Sequence, residues 1–134
     1  MKPLVIAAAL FAATPVFAQG DASRGEDLFR SCKSCHTIAD GDNVIVRGGR
    51  TGPNLFGIMD NPVATSDFRY SDALVALAEA GTVWDDANFI AWVSDPRAFL
   101  ETTLGDSAPR TRMTFKLADG AEDIAAYLRS LSAQ

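Results

Sequence analysis

The sequence predicts a small all-α domain of four to five short helices joined by long loops. Apolar residues recur at helical spacing in several short segments, and most of these segments are bounded by capping residues, glycine or proline. No segment shows the alternation typical of a strand, so no strand is predicted. A chain of 134 residues that loses a short leader is long enough for one domain and too short for two.

The first residues have the pattern of a secretory leader. Lys2 precedes an apolar run over residues 4–13, and Ala18 is a small residue directly before Gln19. This pattern predicts a signal peptide over residues 1–18, cleavage near Ala18/Gln19, and export to a periplasm. The apolar run is too short to span a bilayer, so a retained membrane anchor is the weaker alternative. The mature domain is expected to cover residues 19–134.

Helix signals follow one another along the mature chain. The predicted helices cover residues 21–34, 71–80, 86–95 and 96–100, with a last helix from residue 119 onward. Asp21 and Ser71 are the expected N-caps of the first two, and Asp85 or Asp86 caps the third. Pro96 separates the third helix from the fourth, because proline disfavours helical structure in the residue before it. The last helix begins in a capping-box-like pattern after Asp119.

Loops connect these helices. Residues 40–52 are rich in glycine, aspartate and arginine and are predicted to form a surface loop, as are residues 60–69. Residues 53–57 are expected to form a tight turn or a short helix. Loops of this length are unusual in a compact domain unless they enclose something else.

Residues 32–36 form a C-x-x-C-H motif. Two thiols at this spacing, followed by a histidine, are typical of c-type haem attachment. Cys32 and Cys35 would add across the two vinyl groups of one haem, and His36 would be the proximal ligand of the iron. The chain has only two cysteines and one histidine, too few for a zinc site with four such ligands. A thioredoxin-like dithiol or a plain disulfide is the alternative, but the βαβ pattern expected around such a dithiol is absent.

The second axial ligand is approached by elimination. With no second histidine, the candidates are Met59, Met113, a lysine (Lys33 or Lys116) or an open position. Lys33 lies inside the motif and cannot reach the opposite face of the haem. Met59 is interpreted as core filler, and Met113, in a loop, as the ligand. A thioether favours ferrous iron and raises the haem potential, which suits an electron carrier.

The chain resembles the class I cytochromes c, most closely the bacterial cytochrome c2 type. The resemblance extends over nearly all of the mature chain and rests on residues 25–29, 32–36, 51–55, 84–86, 95–99, 112–115 and 125–128. It implies the cytochrome c fold, with helices and loops wrapped around one covalent haem c, His36 and Met113 as the metal ligands, and an electron carrier rather than an enzyme.

The resemblance also implies roles for further residues. Pro53 would accept a hydrogen bond from the ring of His36 through its carbonyl. Tyr70 and Trp84 would donate to a buried haem propionate, with simple aromatic core packing as the alternative. Gly25 would allow the first helix to cross the last at close approach.

Three departures from the family pattern stand out. Asp60 and Asn61 occupy positions where the family commonly has Gly-Arg, so the usual arginine near a propionate is missing. Trp92 replaces a tyrosine commonly found near the methionine ligand. Arginines largely replace the family's ring of lysines.

The expected function is therefore a soluble periplasmic electron carrier that moves electrons between membrane redox complexes: cytochrome bc1, a reaction centre, or a terminal oxidase or reductase. The chain is expected to be a monomer with no membrane span after cleavage. Its net charge of −5, one unit more negative without Lys2, argues against a nucleic-acid partner. Six basic residues are expected to form a rim that steers docking to partners, with an ordinary solvated surface as the alternative. They are Arg30, Lys33, Arg50, Arg97, Arg112 and Lys116. A haem enzyme or gas-binding protein with an open sixth position is the alternative function.

Overall fold

Helices dominate the computed structural model, which describes residues 19–133. Its elements are α1 (Ala22–Leu28), a 3₁₀ turn (Phe29–Ser31), β1 (Ile38–Asp40), β2 (Asn43–Val46), α2 (Asp72–Glu79), α3 (Asp86–Ser94), α4 (Pro96–Leu104) and α5 (Ala121–Ser132). The all-α prediction is confirmed, with five α-helices in the described residues. The predicted signal peptide and its cleavage point lie outside or at the edge of these residues.

The first helix is shorter than predicted. Asp21 is its N-cap, as expected, and its carboxylate accepts a hydrogen bond from the Ser23 amide at 2.8 Å. The α-helix ends at Leu28, and the chain tightens into the 3₁₀ turn rather than continuing to residue 34. The cysteine motif then forms its own turn, in which the amides of Cys35 and His36 both donate to the Cys32 carbonyl, at 3.1 and 3.0 Å. The prediction that the first helix continues to residue 34 is therefore wrong.

A short β-hairpin occupies part of the predicted loop over residues 40–52, so the prediction of no strands is also wrong. Strands β1 and β2 pair antiparallel, with Asp40 opposite Asn43. Gly41, at the tip, has a φ of 56°, a conformation that glycine adopts without steric cost. Most of β2 is exposed, so its side chains show no alternation between buried and exposed faces.

Helices α2 and α3 begin after two of the predicted N-caps, Ser71 and Asp85, although the Ser71 side chain makes no capping hydrogen bond; Asp95, for which no cap was predicted, is the N-cap of α4. The Asp85 carboxylate accepts from the Asn88 amide at 2.8 Å, and the Asp95 carboxylate accepts from the Ala98 amide at 3.1 Å, next to Pro96 at the start of α4. Helix α4 continues four residues beyond its predicted end. It stops before Gly105, whose φ of 95° cannot continue a helix.

The last helix starts differently from the prediction. Its N-cap is Gly120 in a left-handed conformation, with no side-chain cap, so the capping-box prediction is wrong. The Asp119 carboxylate instead pairs with Arg24 of α1 at 2.6 Å, and Arg24 also pairs with the buried Asp123 of α5. Helices α1 and α5 cross at Gly25, where a Cβ would overlap the Asp123 carbonyl. The expected close approach at this glycine is therefore present.

The core consists of two apolar clusters that both contribute to the wall of one cavity. The first includes Trp84, Trp92, Phe99 and Leu100, and the second includes Phe29, Ile38, Met59, Phe89 and Ile124. Within residues 19–133, no helix has the length and apolar character needed to cross a membrane.

Candidate haem-binding site

All the predicted site residues line a single, largely apolar cavity of about 400 Å³. They come from distant parts of the chain and are Cys32, Cys35, His36, Pro53, Tyr70, Trp84 and Met113. Aromatic and aliphatic side chains from both core clusters complete the wall. The fold therefore brings together residues that are up to 81 positions apart in sequence, from Cys32 to Met113.

The two cysteines occupy different environments at the edge of the cavity. Both thiols are free, with Cys32 partly buried and Cys35 exposed. Burial raises the pKa of the Cys32 thiol. Hydrogen bonding by the hydroxyls of Thr51 and Ser34 lowers the pKa of Cys35. Neither thiol is sealed inside the core, so both are available to bond to a group in the cavity.

His36 is held in one orientation by the chain itself. Its Nδ1 lies 2.8 Å from the Pro53 carbonyl oxygen, which can only accept, so Nδ1 donates. Burial lowers the pKa of the imidazole, more than the Pro53 contact raises it, which favours the neutral ring. In that tautomer Nε2 keeps its lone pair, as a metal ligand requires.

Glycines after the hairpin pack directly against the cysteine motif, a feature that the sequence analysis missed. The Gly49 amide donates to the Lys33 carbonyl at 2.8 Å, and the Gly52 amide donates to the Cys35 carbonyl at 2.8 Å. A Cβ at Gly48 or Gly49 would overlap the motif's backbone, and one at Gly52 would overlap the His36 ring. The only available signal was the run of glycines shortly after the motif, which was interpreted as a surface loop.

The two methionines of the described chain lie in different places. Met113 is partly buried and lines the cavity, where it packs against the first core cluster. Met59 is 6% exposed, belongs to the second core cluster and does not line the cavity. Lys116 is engaged elsewhere, with its Nζ 2.6 Å from the Asp95 carboxylate. Of the side chains considered as a second ligand, only Met113 lines the cavity.

Aromatic side chains form another part of the cavity wall. Trp84 packs against Trp92 and Phe99, with ring centroids 5.7 and 6.3 Å away. The Tyr70 hydroxyl bonds to the Ser66 hydroxyl, and both Tyr70 and Trp84 reach the cavity. Trp92 also lines the cavity and so keeps an aromatic wall at this departure from the family pattern.

Asp60 and Asn61, the first of the three departures, do not line the cavity. The Asp60 carboxylate receives two hydrogen bonds from Arg129, at 2.8 and 2.9 Å, and Arg129 also pairs with Asp86. The Asn61 amide donates to the Gly57 carbonyl at 2.7 Å. These residues thus fasten a loop to α3 and α5 and do not line the cavity.

The basic residues expected to form a rim are divided into two groups. Arg30, Arg97 and Lys116 pair with the carboxylates of neighbouring acidic residues. Lys33, Arg50 and Arg112 make no ion pair with any acidic residue between positions 19 and 133. The positive charge available to a partner is therefore smaller than the sequence suggests.

The residues around the cavity fit a c-type haem. Two free thiols and an oriented imidazole lie at one edge, a thioether lies on the wall, and apolar side chains surround most of the remaining space. Hydroxyl, indole and guanidinium groups supply polar contacts for carboxylates. This combination of soft and nitrogen donors suits haem iron better than zinc or a hard cation.

Comparison with known proteins finds relatives over almost the whole chain. Cytochrome c-551 of Roseobacter denitrificans is 55% identical over 129 residues, covering 96% of this chain and 93% of that protein. Cytochrome c2 of Rhodobacter capsulatus is 47% identical over 126 residues, covering 92% and 91%. The crystal structure of ferric cytochrome c-550 from Paracoccus versutus matches with a TM-score of 0.80 and 42% identity, over 84% of this chain and 98% of that one. The chain matches no protein-family model.

The relatives agree with the motif and with the fold. Cytochromes c are electron carriers rather than enzymes, and they hold one covalent c-type haem, with which Cys32 and Cys35 in the C-x-x-C-H motif of this chain are consistent. Because relatives well above 30% identity match nearly its full length, the chain belongs to the class I cytochrome c family and is similar to its cytochrome c2, c-550 and c-551 members.

Proposed function

We propose that the protein is a soluble periplasmic electron carrier whose haem iron is bound by His36 and Met113. One observation supports this ligand pair above all: His36 and Met113 line the same cavity, while Met59 and both lysines do not. The haem, when bound, supplies a one-electron exchange between ferric and ferrous iron. Nothing else in the cavity has the geometry of a nucleophile with its base, so no substrate chemistry is proposed.

The protein's own residues control this exchange. Pro53 holds His36 in the tautomer that leaves Nε2 free. The thioether of Met113 favours the ferrous state. The wall formed by Trp84, Trp92 and Phe89 excludes water, which strengthens electrostatic effects on the iron. Tyr70 and Trp84 are proposed to donate hydrogen bonds to a propionate.

Export and partners complete the proposal. The predicted signal peptide over residues 1–18, cleaved near Ala18/Gln19, would deliver a monomer to the periplasm. Its partners there would be membrane redox complexes: cytochrome bc1, a reaction centre, or a terminal oxidase or reductase. Of the six predicted rim residues, Lys33, Arg50 and Arg112 make no ion pair between positions 19 and 133 and could face acidic patches on these partners, so reduction should slow as salt rises.

Two methionine substitutions test the ligand pair. Met113→Ala should abolish the sulfur-to-iron charge-transfer band of the ferric protein and let the ferrous protein bind carbon monoxide. Met59→Ala should keep the band and cost about 2–5 kcal/mol of stability, because it opens a cavity in the second core cluster. The proposal fails if only Met59→Ala changes the ligation. It also fails if the native ferrous protein binds carbon monoxide readily, as a gas-binding haem protein would.

A further inference from the structure

Arg112 is the one cationic side chain of the described residues that lines the cavity. The other lining residues are apolar, aromatic, small or neutral polar, and no aspartate or glutamate is among them. A negatively charged group in this cavity would therefore have a single cation in its wall.

Arg112 is hydrogen-bonded to the residue before Tyr70 and shares the cavity wall with several neutral polar side chains. Its Nη1 donates to the Arg69 carbonyl at 3.3 Å, and Arg69 directly precedes Tyr70. Tyr70, Ser71 and Thr111 also line the cavity. With no acidic partner elsewhere between residues 19 and 133, the guanidinium keeps most of its hydrogen-bonding capacity for a ligand.

Haem chemistry identifies that ligand group. A haem has vinyl groups on one edge and two propionate carboxylates on the opposite edge. Attachment at Cys32 and Cys35 would hold the vinyl edge, so the propionates would lie away from the two cysteines. Tyr70 and Trp84 line the cavity and could donate hydrogen bonds to a propionate, but both are neutral, and a desolvated carboxylate without a countercharge is costly. The Asn61 amide is occupied by the Gly57 carbonyl and does not line the cavity.

We infer that Arg112 is the countercharge of a haem propionate in this protein and thereby helps set the redox potential. The sequence had suggested only a role in docking partners. This inference rests on the proposed haem site. A fixed positive charge near the haem favours the ferrous state, which has one positive charge fewer than the ferric state. Arginine is suited to the role because its planar guanidinium binds a carboxylate through two hydrogen bonds.

A redox titration of three variants of the holoprotein tests the inference. Arg112→Gln should lower the ferrous-to-ferric equilibrium constant roughly three- to tenfold, where tenfold corresponds to about 59 mV for one electron. Arg112→Lys should recover most of the loss. Arg110→Gln is the matched control, because it removes the same charge from an arginine two residues away that is exposed, as Arg112 is, but does not line the cavity.

The pH dependence of the potential provides a second readout. Without the guanidinium, the propionate should protonate at higher pH, so the pH-dependent part of the potential should move upward in Arg112→Gln only. Equal effects of Arg112→Gln and Arg110→Gln on potential and pH profile would overturn the inference. If Arg112→Gln yields no holoprotein, the inference is supported when Arg112→Lys and Arg110→Gln both form holoprotein with a wild-type potential. It is contradicted when Arg112→Lys also fails to form such a holoprotein. A wild-type protein without the expected haem spectrum would instead refute the proposed function, before any variant is compared.

Discussion

Gly52→Ala should disturb the haem site without changing any chemical group in it. Gly52 lies in the turn that donates to the Cys35 carbonyl, and a Cβ added there would overlap three atoms of the His36 ring. The obstacle is the imidazole, which the Pro53 carbonyl holds at 2.8 Å. Either the ring gives up that hydrogen bond or the glycine turn moves away from the cysteine motif.

The expected loss in the free energy of unfolding follows from the overlap with the His36 ring and from the hydrogen bond between His36 and Pro53. Overpacking at a buried site costs about 1–3 kcal/mol. Loss of the hydrogen bond between His36 and Pro53 adds about 0.5–1.5 kcal/mol. Gly52 has no positive φ, so alanine recovers about 0.4–1 kcal/mol by restricting the unfolded chain. The net expectation is a loss of about 0.5–4 kcal/mol in the free energy of unfolding of the holoprotein.

Denaturant unfolding followed by circular dichroism, together with the optical spectrum of the haem, measures this effect. Gly41→Ala is the control: its φ of 56° makes alanine unfavourable, but a Cβ there meets no atom within 4 Å. The control should lose about 1–2 kcal/mol from backbone strain and keep a native haem spectrum. The reasoning is refuted if Gly52→Ala has wild-type stability and spectrum, or if both variants change the spectrum alike.

Two further predictions concern stability. Arg129→Gln should cost about 1 kcal/mol at neutral pH, because it breaks the pairs with Asp60 and Asp86. Arg129 lowers the pKa of Asp60, so the stability that this pair contributes is present above pH ~4 and is lost as the pH falls through the folded-state pKa of Asp60. The free energies of unfolding of the wild type and the variant should therefore converge at acid pH. A chain with Cys32→Ala and Cys35→Ala that takes up no haem should be largely unfolded, because its core clusters surround an empty cavity. Native-like helix content with cooperative melting in that chain would contradict this.

Helices with local sequence signals were predictable, whereas features set by tertiary contacts were not. Asp85 and Asp95 cap α3 and α4 through hydrogen bonds to amides three residues later, a strictly local interaction. Asp119 looked like a cap for α5, but Arg24, ninety-five residues earlier, takes its carboxylate. The hairpin was missed because β2 is largely exposed and so lacks the alternation that marks a half-buried strand.

More of the candidate site than of the surrounding fold could be predicted from the sequence. The haem-attachment motif is a local pattern of Cys32, Cys35 and His36, and the scarcity of other possible ligands pointed to Met113. The packing of Gly52 against His36 and the place of Arg112 in the cavity wall depend on how distant loops meet. Such contacts leave no periodic or local signal in the sequence.

The central claim is that His36 and Met113 bind the haem iron of an electron carrier. A redox titration of the wild-type holoprotein, followed optically through the sulfur-to-iron charge-transfer band and repeated under carbon monoxide, tests it most directly. The account predicts a single reversible one-electron transition, the band in the ferric state, and no carbon monoxide adduct in the ferrous state. A ferric protein without the band, or a ferrous protein that binds carbon monoxide readily, would contradict it.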